Sequence, residues 1–267
     1  IESIDAKSIY DVPVLMREER LHEIVLDYLN LSKRKPLRLS RWKNFLKNLH
    51  SSTKKLNIAI VGKYVSLHDA YKSISESLIH AGANLNSKVE LKWIQSEKIN
   101  NKNVKNQLKN IDGVIVAPGF GERGIEGKIS SIKYVRENNI PFLGICLGMQ
   151  CACIEFSRNV LGNKNANSTE FDKKTSFPII DLMEKQKNIK NKGGTMRLGS
   201  YACDLEKGSL VQKSYGKIKI NERHRHRYEF NNTYKESFIK NGMKTSGIND
   251  NLDLVEVIEL DNHPWFI

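Results

Sequence analysis

Phe142-Leu143-Gly144-Ile145-Cys146-Leu147-Gly148-Met149-Gln150 carries an apolar run into a cysteine framed by glycines. Phe142–Ile145 reads as a buried strand and Leu147–Phe156 as a helix, so Cys146 falls on the turn between them. A turn that sharp needs small residues on both sides, because the central backbone is strained and its neighbours must approach closely. Gly144 and Gly148 meet that need. The pattern predicts a nucleophile elbow with Cys in place of Ser. Its sulfur then lies at a helix N-terminus, where backbone N–H groups and the helix dipole favour a thiolate. The Leu147 N–H is placed to serve as one oxyanion donor. The plainer reading is a buried cysteine at a strand end. The Gly-x-Cys-x-Gly frame at a strand-to-helix junction favours the elbow.

Outward from this turn the chain alternates strand and helix. Leu56–Gly62 is an apolar strand, and Asp69 can cap a helix running to about Gly82. Val89, Leu91 and Trp93 alternate as in a strand, and Ile111–Ala117 reads as a buried one. Ile125, Ile129, Ile132 and Val135 mark one helix face. This rhythm predicts an α/β fold with a mostly parallel central sheet and helices on both faces. Residues 158–193 are polar and rich in Asn and Lys, and read as an insertion or lid rather than core. Short β segments at Lys217–Ile220, Arg223–Phe230 and Leu252–Leu260 then predict a smaller antiparallel β portion. Residues 1–55 differ. Leu21, Ile24, Val25, Tyr28 and Leu29 follow Pro13 at helical spacing, Trp42, Phe45, Leu46 and Leu49 follow Ser40 as a plausible N-cap, and Lys33-Arg34-Lys35-Pro36 lies between. Two helices alone bury little, so 1–55 reads as the tail of a preceding domain with a linker, and 56–267 as the main domain.

The first residues are neither an initiator Met nor a signal peptide, and the chain reads as a piece of a longer protein. No apolar run is long enough to span a membrane. Cys146, Cys151 and Cys153 cluster too tightly for a secreted disulfide framework, which points to a cytoplasmic protein. The net charge of +13 has a plain source in Lys spread over solvated faces, and would also attract anions such as nucleotides. No basic stripe interleaved with aromatics appears, so nucleic acid is not an expected partner.

Other motifs bear on chemistry. Gly119-Phe120-Gly121-Glu122-Arg123-Gly124 spells G-x-G-x-x-G between a strand and a helix. It follows a late strand and lacks an acidic ribose ligand, which argues against a dinucleotide-binding oxidoreductase. Gly119 instead can supply a second oxyanion amide. A metal site through Cys146, Cys151 and Cys153 is disfavoured, because residues five and seven apart do not converge on a helix and no C-x-x-C is present; no metal is expected. In Glu222-Arg223-His224-Arg225-His226-Arg227-Tyr228, a continuous strand would place the arginines on one face and His224, His226 and Tyr228 on the other. The run is either a solvated basic edge or the source of an Arg that clamps a carboxylate.

Together these residues resemble the C-terminal class I (triad-type) glutamine amidotransferase domain of the CTP synthase family. The resemblance rests on Val61-Gly62-Lys63-Tyr64, Asp69-Ala70-Tyr71-Lys72-Ser73, Pro118-Gly119-Phe120-Gly121, Gly144–Gln150, Asn165–Phe171, Gly193–Gly199, Glu222–Tyr228 and Asn262-His263-Pro264-Trp265-Phe266, and spans nearly the whole chain. It implies that Cys146 attacks the side-chain amide of L-glutamine, forms a glutamyl thioester and releases ammonia. It makes Gly119 and Leu147 the oxyanion donors, and Gly119, Leu147, Gly148, Met149, Gln150, Glu170 and Arg227 the glutamine-binding residues. Glu170 then suits the α-ammonium and Arg227 the α-carboxylate. Gly193–Gly199 looks like a lid, and Arg123 and Arg197 are candidates for sensing GTP. In the family the ammonia aminates UTP to CTP in an ATP- and Mg2+-dependent synthetase domain of the same chain, GTP activates, and the enzyme assembles as a homo-oligomer. No cofactor is implied for the glutaminase domain itself.

Two departures from the family matter. Pro118 stands where many relatives carry Gly, so position 118 has no N–H and Gly119 carries the donor role. The family's base and its orienting carboxylate lie in a His-Pro-Glu motif a few residues past His-Pro-Trp-Phe, beyond Ile267. His263 is not that base. The expectation is that the span 1–267 is inactive or nearly so, and that turnover by it would point to His224 or His226. The rival reading from another class is a non-catalytic module for assembly or nucleotide regulation.

Overall fold

The computed structural model describes residues 1–2, 4–32, 37–182 and 196–267. Lys33-Arg34-Lys35-Pro36 and residues 183–195, which include the first part of the expected lid, lie outside them. The chain divides into two compact units: residues 1–56 with 72–90, and residues 57–71 with 91–267.

The first unit holds α1 (Val12–Glu18), α2 (Leu21–Tyr28), α3 (Ser40–Ser51) and α4 (Lys72–Asn84). Pro13 sits in the first turn of α1, where its missing N–H costs nothing. The expected single helix after Pro13 is cut in two at Arg20, which adopts φ 58°. Ser40 is the first residue of α3 rather than its cap, which is Leu39. The helices of 1–55 gain a partner in α4. The Tyr10 ring lies 5.8 Å from Trp42, 5.3 Å from Phe45 and 5.1 Å from His80. Its hydroxyl donates to Glu76 of α4. The helix expected after Asp69 begins at Lys72, behind a short 3-10 turn at His68–Tyr71.

The central sheet has the order β2-β1-β3-β4, formed by β1 (Lys54–Gly62), β2 (Ser87–Gln95), β3 (Gly113–Val116) and β4 (Phe142–Gly144), with β3, β4 and the C-terminal parts of β1 and β2 in the second unit. β1, β3 and β4 are parallel, with Val61 opposite Val116 and Val116 opposite Gly144. Ala59, Ile60 and Val61 are fully buried, as a parallel strand covered on both faces requires. The short α5 (Val104–Gln107) precedes β3; α6 (Ile125–Glu137) and α7 (Leu147–Asn159) pack on each other and on the sheet. The register brings the ends of β1, β3 and β4 to one edge. The turns leaving them carry Lys63, Gly119 and Cys146, the usual place for a site in an open parallel sheet.

The antiparallel portion holds four strands, as many as the parallel sheet: β7 (Arg197–Leu205), β8 (Lys219–His226), β10 (Met243–Asn249) and β11 (Leu254–Leu260), ordered β11-β10-β7-β8. A third sheet joins β5 (Ala166–Ser168), β6 (Phe177–Leu182) and β9 (Tyr228–Phe230). One expectation is corrected here. Residues 158–193 are not simply an insertion, because β5 and β6 lie within them and Ala166, Ser168, Ile179 and Ile180 are fully buried. Their strands are too short for alternation to stand out against Asn and Lys. The region after them also contains helices, α8 (Leu210–Tyr215) and α9 (Lys235–Lys240).

Candidate functional site

Cys146 adopts φ 56° and ψ −106°, a strained conformation for a residue with a side chain. Its glycine frame is enforced by contact. A Cβ on Gly148 would lie 2.2 Å from the Val116 carbonyl oxygen, and one on Gly144 would lie 2.8 Å from the Gly148 carbonyl carbon. The Ile145 N–H donates to Val116 at 3.1 Å and the Gly144 N–H to Ile267 at 2.8 Å, which ties the turn to β3 and to the strand-like segment ending at Ile267.

The backbone amides of Leu147 and Gly119 are directed at the Cys146 sulfur. Burial nevertheless pushes the thiol pKa up and outweighs both amides. The net effect is opposite to the expected helix-stabilised thiolate: the neutral thiol is favoured.

A cavity of about 80 Å³ opens at the sulfur, lined by Gly119, Phe120, Gln150, Glu170, Met196, His226, Arg227 and Tyr228. Glu170 accepts from the Gly121 N–H at 2.7 Å, and Gln150 donates from Nε2 to the Tyr228 carbonyl at 2.9 Å. Arg227 reaches this cavity because the expected continuous strand Arg223–Phe230 does not exist. The chain bends at Arg227, leaving β8 in one sheet and entering β9 in another. Arg227 is therefore released from the face it would have shared with Arg223 and Arg225. Gly148 is buried inside the elbow, and Met149 lines a second, larger cavity of about 390 Å³ that also borders Cys146.

Three residues lining that larger cavity, His224, His226 and Glu256, belong to a buried ionic cluster. Arg197 donates from Nε to Glu229 at 3.0 Å and from Nη1 and Nη2 to Glu256 at 2.5 and 3.0 Å. His224 Nε2 lies 2.7 Å from Glu256, and its Nδ1 faces the Glu222 carbonyl at 2.9 Å, so both ring nitrogens meet acceptors. Burial pushes the Glu229 carboxyl up to about 7 despite Arg197. Burial, with His224 and Arg197 adding to it, lowers His226 to about 4. Arg197 is thus enclosed among carboxylates, whereas Arg123 is half exposed, 2.7 Å from Glu97 and over the Tyr64 ring. His263 is buried away from Cys146, with Nε2 facing the Val135 carbonyl at 3.3 Å.

Two lysines near the site do not stand out in the sequence. Lys63 donates to the Phe120 carbonyl at 2.7 Å and to that of Gly121. The fully buried Lys128 donates to the Ala117 carbonyl. The signal for Lys63 lies in Val61-Gly62-Lys63-Tyr64: a Cβ on Gly62 would meet the Tyr71 hydroxyl at 2.6 Å, and that hydroxyl accepts from the Lys63 N–H at 3.1 Å. Cys151, Cys153 and Cys203 are buried packing residues, and all four cysteines are free. Among the described residues no group of His, Cys, Asp and Glu is arranged to hold a metal ion.

Comparison with known proteins places this geometry. Residues 66–267 match the glutamine amidotransferase class-I family. The whole chain is 59% identical to a CTP synthase of Cytophaga hutchinsonii and 56% identical to one of Flavobacterium johnsoniae, covering 50% of each. The chain thus spans about half the length of the curated relatives it matches. The solved glutaminase domain of Trypanosoma brucei CTPS with bound acivicin superposes with a TM-score of 0.73 at 36% identity, over 79% of this chain and 83% of that one. The chain belongs to the class-I glutamine amidotransferases, as a glutaminase domain of the CTP synthase family.

Proposed function

We propose that this domain hydrolyses L-glutamine through a thioester on Cys146. The carrying observation is the strained Cys146 turn with the Gly119 and Leu147 amides converging on its sulfur. In the first step the sulfur attacks the side-chain amide carbon. A C–S bond forms and the carbonyl electron pair moves onto oxygen, where the two amides receive it. Collapse of this intermediate breaks the C–N bond and, with a proton added to nitrogen, ammonia leaves. Water then attacks the thioester, the C–S bond breaks, and glutamate departs.

Glu170 and Arg227, which both line the cavity at the sulfur, suit the α-ammonium and α-carboxylate of one free amino acid. Gln150 is held by the Tyr228 carbonyl at their side. Gly148 and Met149 complete the turn that the substrate's amide would approach. The thiol proton needs a base. His224 has both nitrogens at acceptors, and His226, titrating near 4, is a weak base at neutral pH. Turnover by residues 1–267 alone is therefore expected to be slow.

In the parent enzyme, the ammonia would serve ATP-dependent amination of UTP to CTP in a synthetase domain of the same chain. Among the described residues no group of His, Cys, Asp and Glu is arranged to hold Mg2+, which would belong to that synthetase domain. GTP activation would engage the exposed Arg123 more readily than Arg197, which would first have to leave its carboxylates. Homo-oligomeric assembly and a cytoplasmic location complete the reading. The free cysteines suit a reducing compartment, and no helix among the described residues is long and apolar enough to cross a membrane.

The test is labelling with a glutamine-mimicking diazo-ketone, read by mass spectrometry. The expected result is one adduct, on Cys146, suppressed by L-glutamine. A folded protein that is not labelled would overturn the proposal in favour of a non-catalytic module.

A further inference from the structure

Lys128 lies on the enclosed face of α6 with no exposed surface, and its ammonium donates to the Ala117 carbonyl, a neutral partner. Removing an ammonium from water is costly, and a methionine of similar length would fill the same volume without that cost. Such expense persists at sites where the charge has work to do.

The carbonyl it takes explains the work. Ala117 is followed by Pro118, so the peptide between them has no N–H. The Ala117 carbonyl is therefore the one group by which a hydrogen bond can fix that peptide plane. Ala117 is held on its other side by its own N–H, which donates to Val61 at 3.0 Å. The next amide along the chain is that of Gly119, which faces the Cys146 sulfur. The groups acting on Lys128 are Cys151 and Cys146 from α7 and its elbow, and Lys63 from the end of β1. Burial lowers the ammonium pKa to about 8, with the two thiols working against that fall.

We propose that Lys128 is a positioning residue of this site: its buried ammonium fixes the Ala117 carbonyl and so the Pro118-Gly119 turn that aims an amide at Cys146, and its charge supports negative charge on that sulfur from behind. The proposal rests on the glutaminase reading for its chemistry but not for its test. The experiment compares the 267-residue chain with its Lys128→Met variant in three measurements: thermal midpoint, diazo-ketone labelling of Cys146, and the pH midpoint of Cys146 alkylation by iodoacetamide. The expected variant melts no lower than the parent, labels about tenfold more slowly, and shows its alkylation midpoint raised by roughly half a unit or more. A folded variant with both reactivities unchanged overturns the proposal. Should Lys128→Met fail to fold, a chain carrying Glu229→Gln decides, because the Glu229 carboxyl also acts on Cys146 and titrates near 7. Its alkylation profile is expected to depart from a single titration between about pH 7 and 9, where Lys128 loses its proton, and a single titration overturns the proposal. A chain that ignores the diazo-ketone but shows the Lys128-dependent midpoint would sink the glutamine reading and leave the positioning role standing.

Discussion

The two walls of the cavity at Cys146 are built in opposite ways. The nucleophile wall is local. Five consecutive residues make the turn, and contacts with Val116 and within the turn itself dictate both glycines. The opposite wall is assembled from Glu170 after β5, Met196 before β7, and Arg227 at the bend between β8 and β9. A short sequence can encode the first wall, whereas the second exists only where separate sheets meet.

The sharpest ways to break this comparison lie at each wall. Replacing Arg197 by Ala leaves Glu229 and Glu256 buried without their guanidinium. It is expected to cost about 3–5 kcal/mol in denaturant unfolding, and loss of under about 1 kcal/mol would mean the cluster is not the support it resembles. Gly148→Ala is expected to cost about 3 kcal/mol and abolish diazo-ketone labelling, since the new methyl must displace the Val116 carbonyl. A stable, labelled Gly148→Ala protein would show that the elbow is not fixed locally.

Glu170→Gln tests the far wall more gently. The Gly121 N–H keeps an acceptor, so stability should change by less than about 0.5 kcal/mol, while protection of Cys146 by L-glutamine weakens about tenfold, some 1.4 kcal/mol. Equal protection in both proteins would remove Glu170 from the substrate site. The smallest effect is in pH. Glu229 titrates near 7 when folded, above its unfolded value, so the folded state binds the extra proton and stability falls as pH rises from about 4.5 to 7. His226, lowered to about 4, does the reverse: stability rises with pH up to about 6.5. Glu229→Gln removes the falling component, so the variant's stability relative to the parent is expected to climb between pH 4.5 and 7. A flat difference would uncouple Glu229 from the cluster.

The same division governs how much of the fold and of the site is legible in the amino-acid sequence. The parallel strands, the elbow and the Gly119 amide follow from apolar runs and glycine placement, which act over a few residues. The strands β5 and β6 are hidden because three to six residues among Asn and Lys carry no clear alternation. Arg227 stands out as a residue type, but its placement is not readable, since alternation within Arg223–Phe230 implies one strand and the bend between two sheets is a tertiary event. Lys63 and Lys128 escape notice for a related reason: a lysine in a helix or at a strand end looks solvated until its carbonyl partners are known. The thiol's upward shift runs against the motif because burial, which exceeds the pull of two amides, is not written in a local pattern.

The bend at Arg227 has a consequence for partly unfolded states. The Arg227 guanidinium is placed only while β8 and β9 are docked in their separate sheets, whereas the elbow depends on β3, β4 and α7. Regions of a protein open with different free energies. An opening confined to the antiparallel strands would leave a cysteine that small alkylating agents can still find but that no longer tells an amino acid from any other electrophile. Chemical reactivity and molecular discrimination in this domain thus melt as separate properties, and the first can outlive the second.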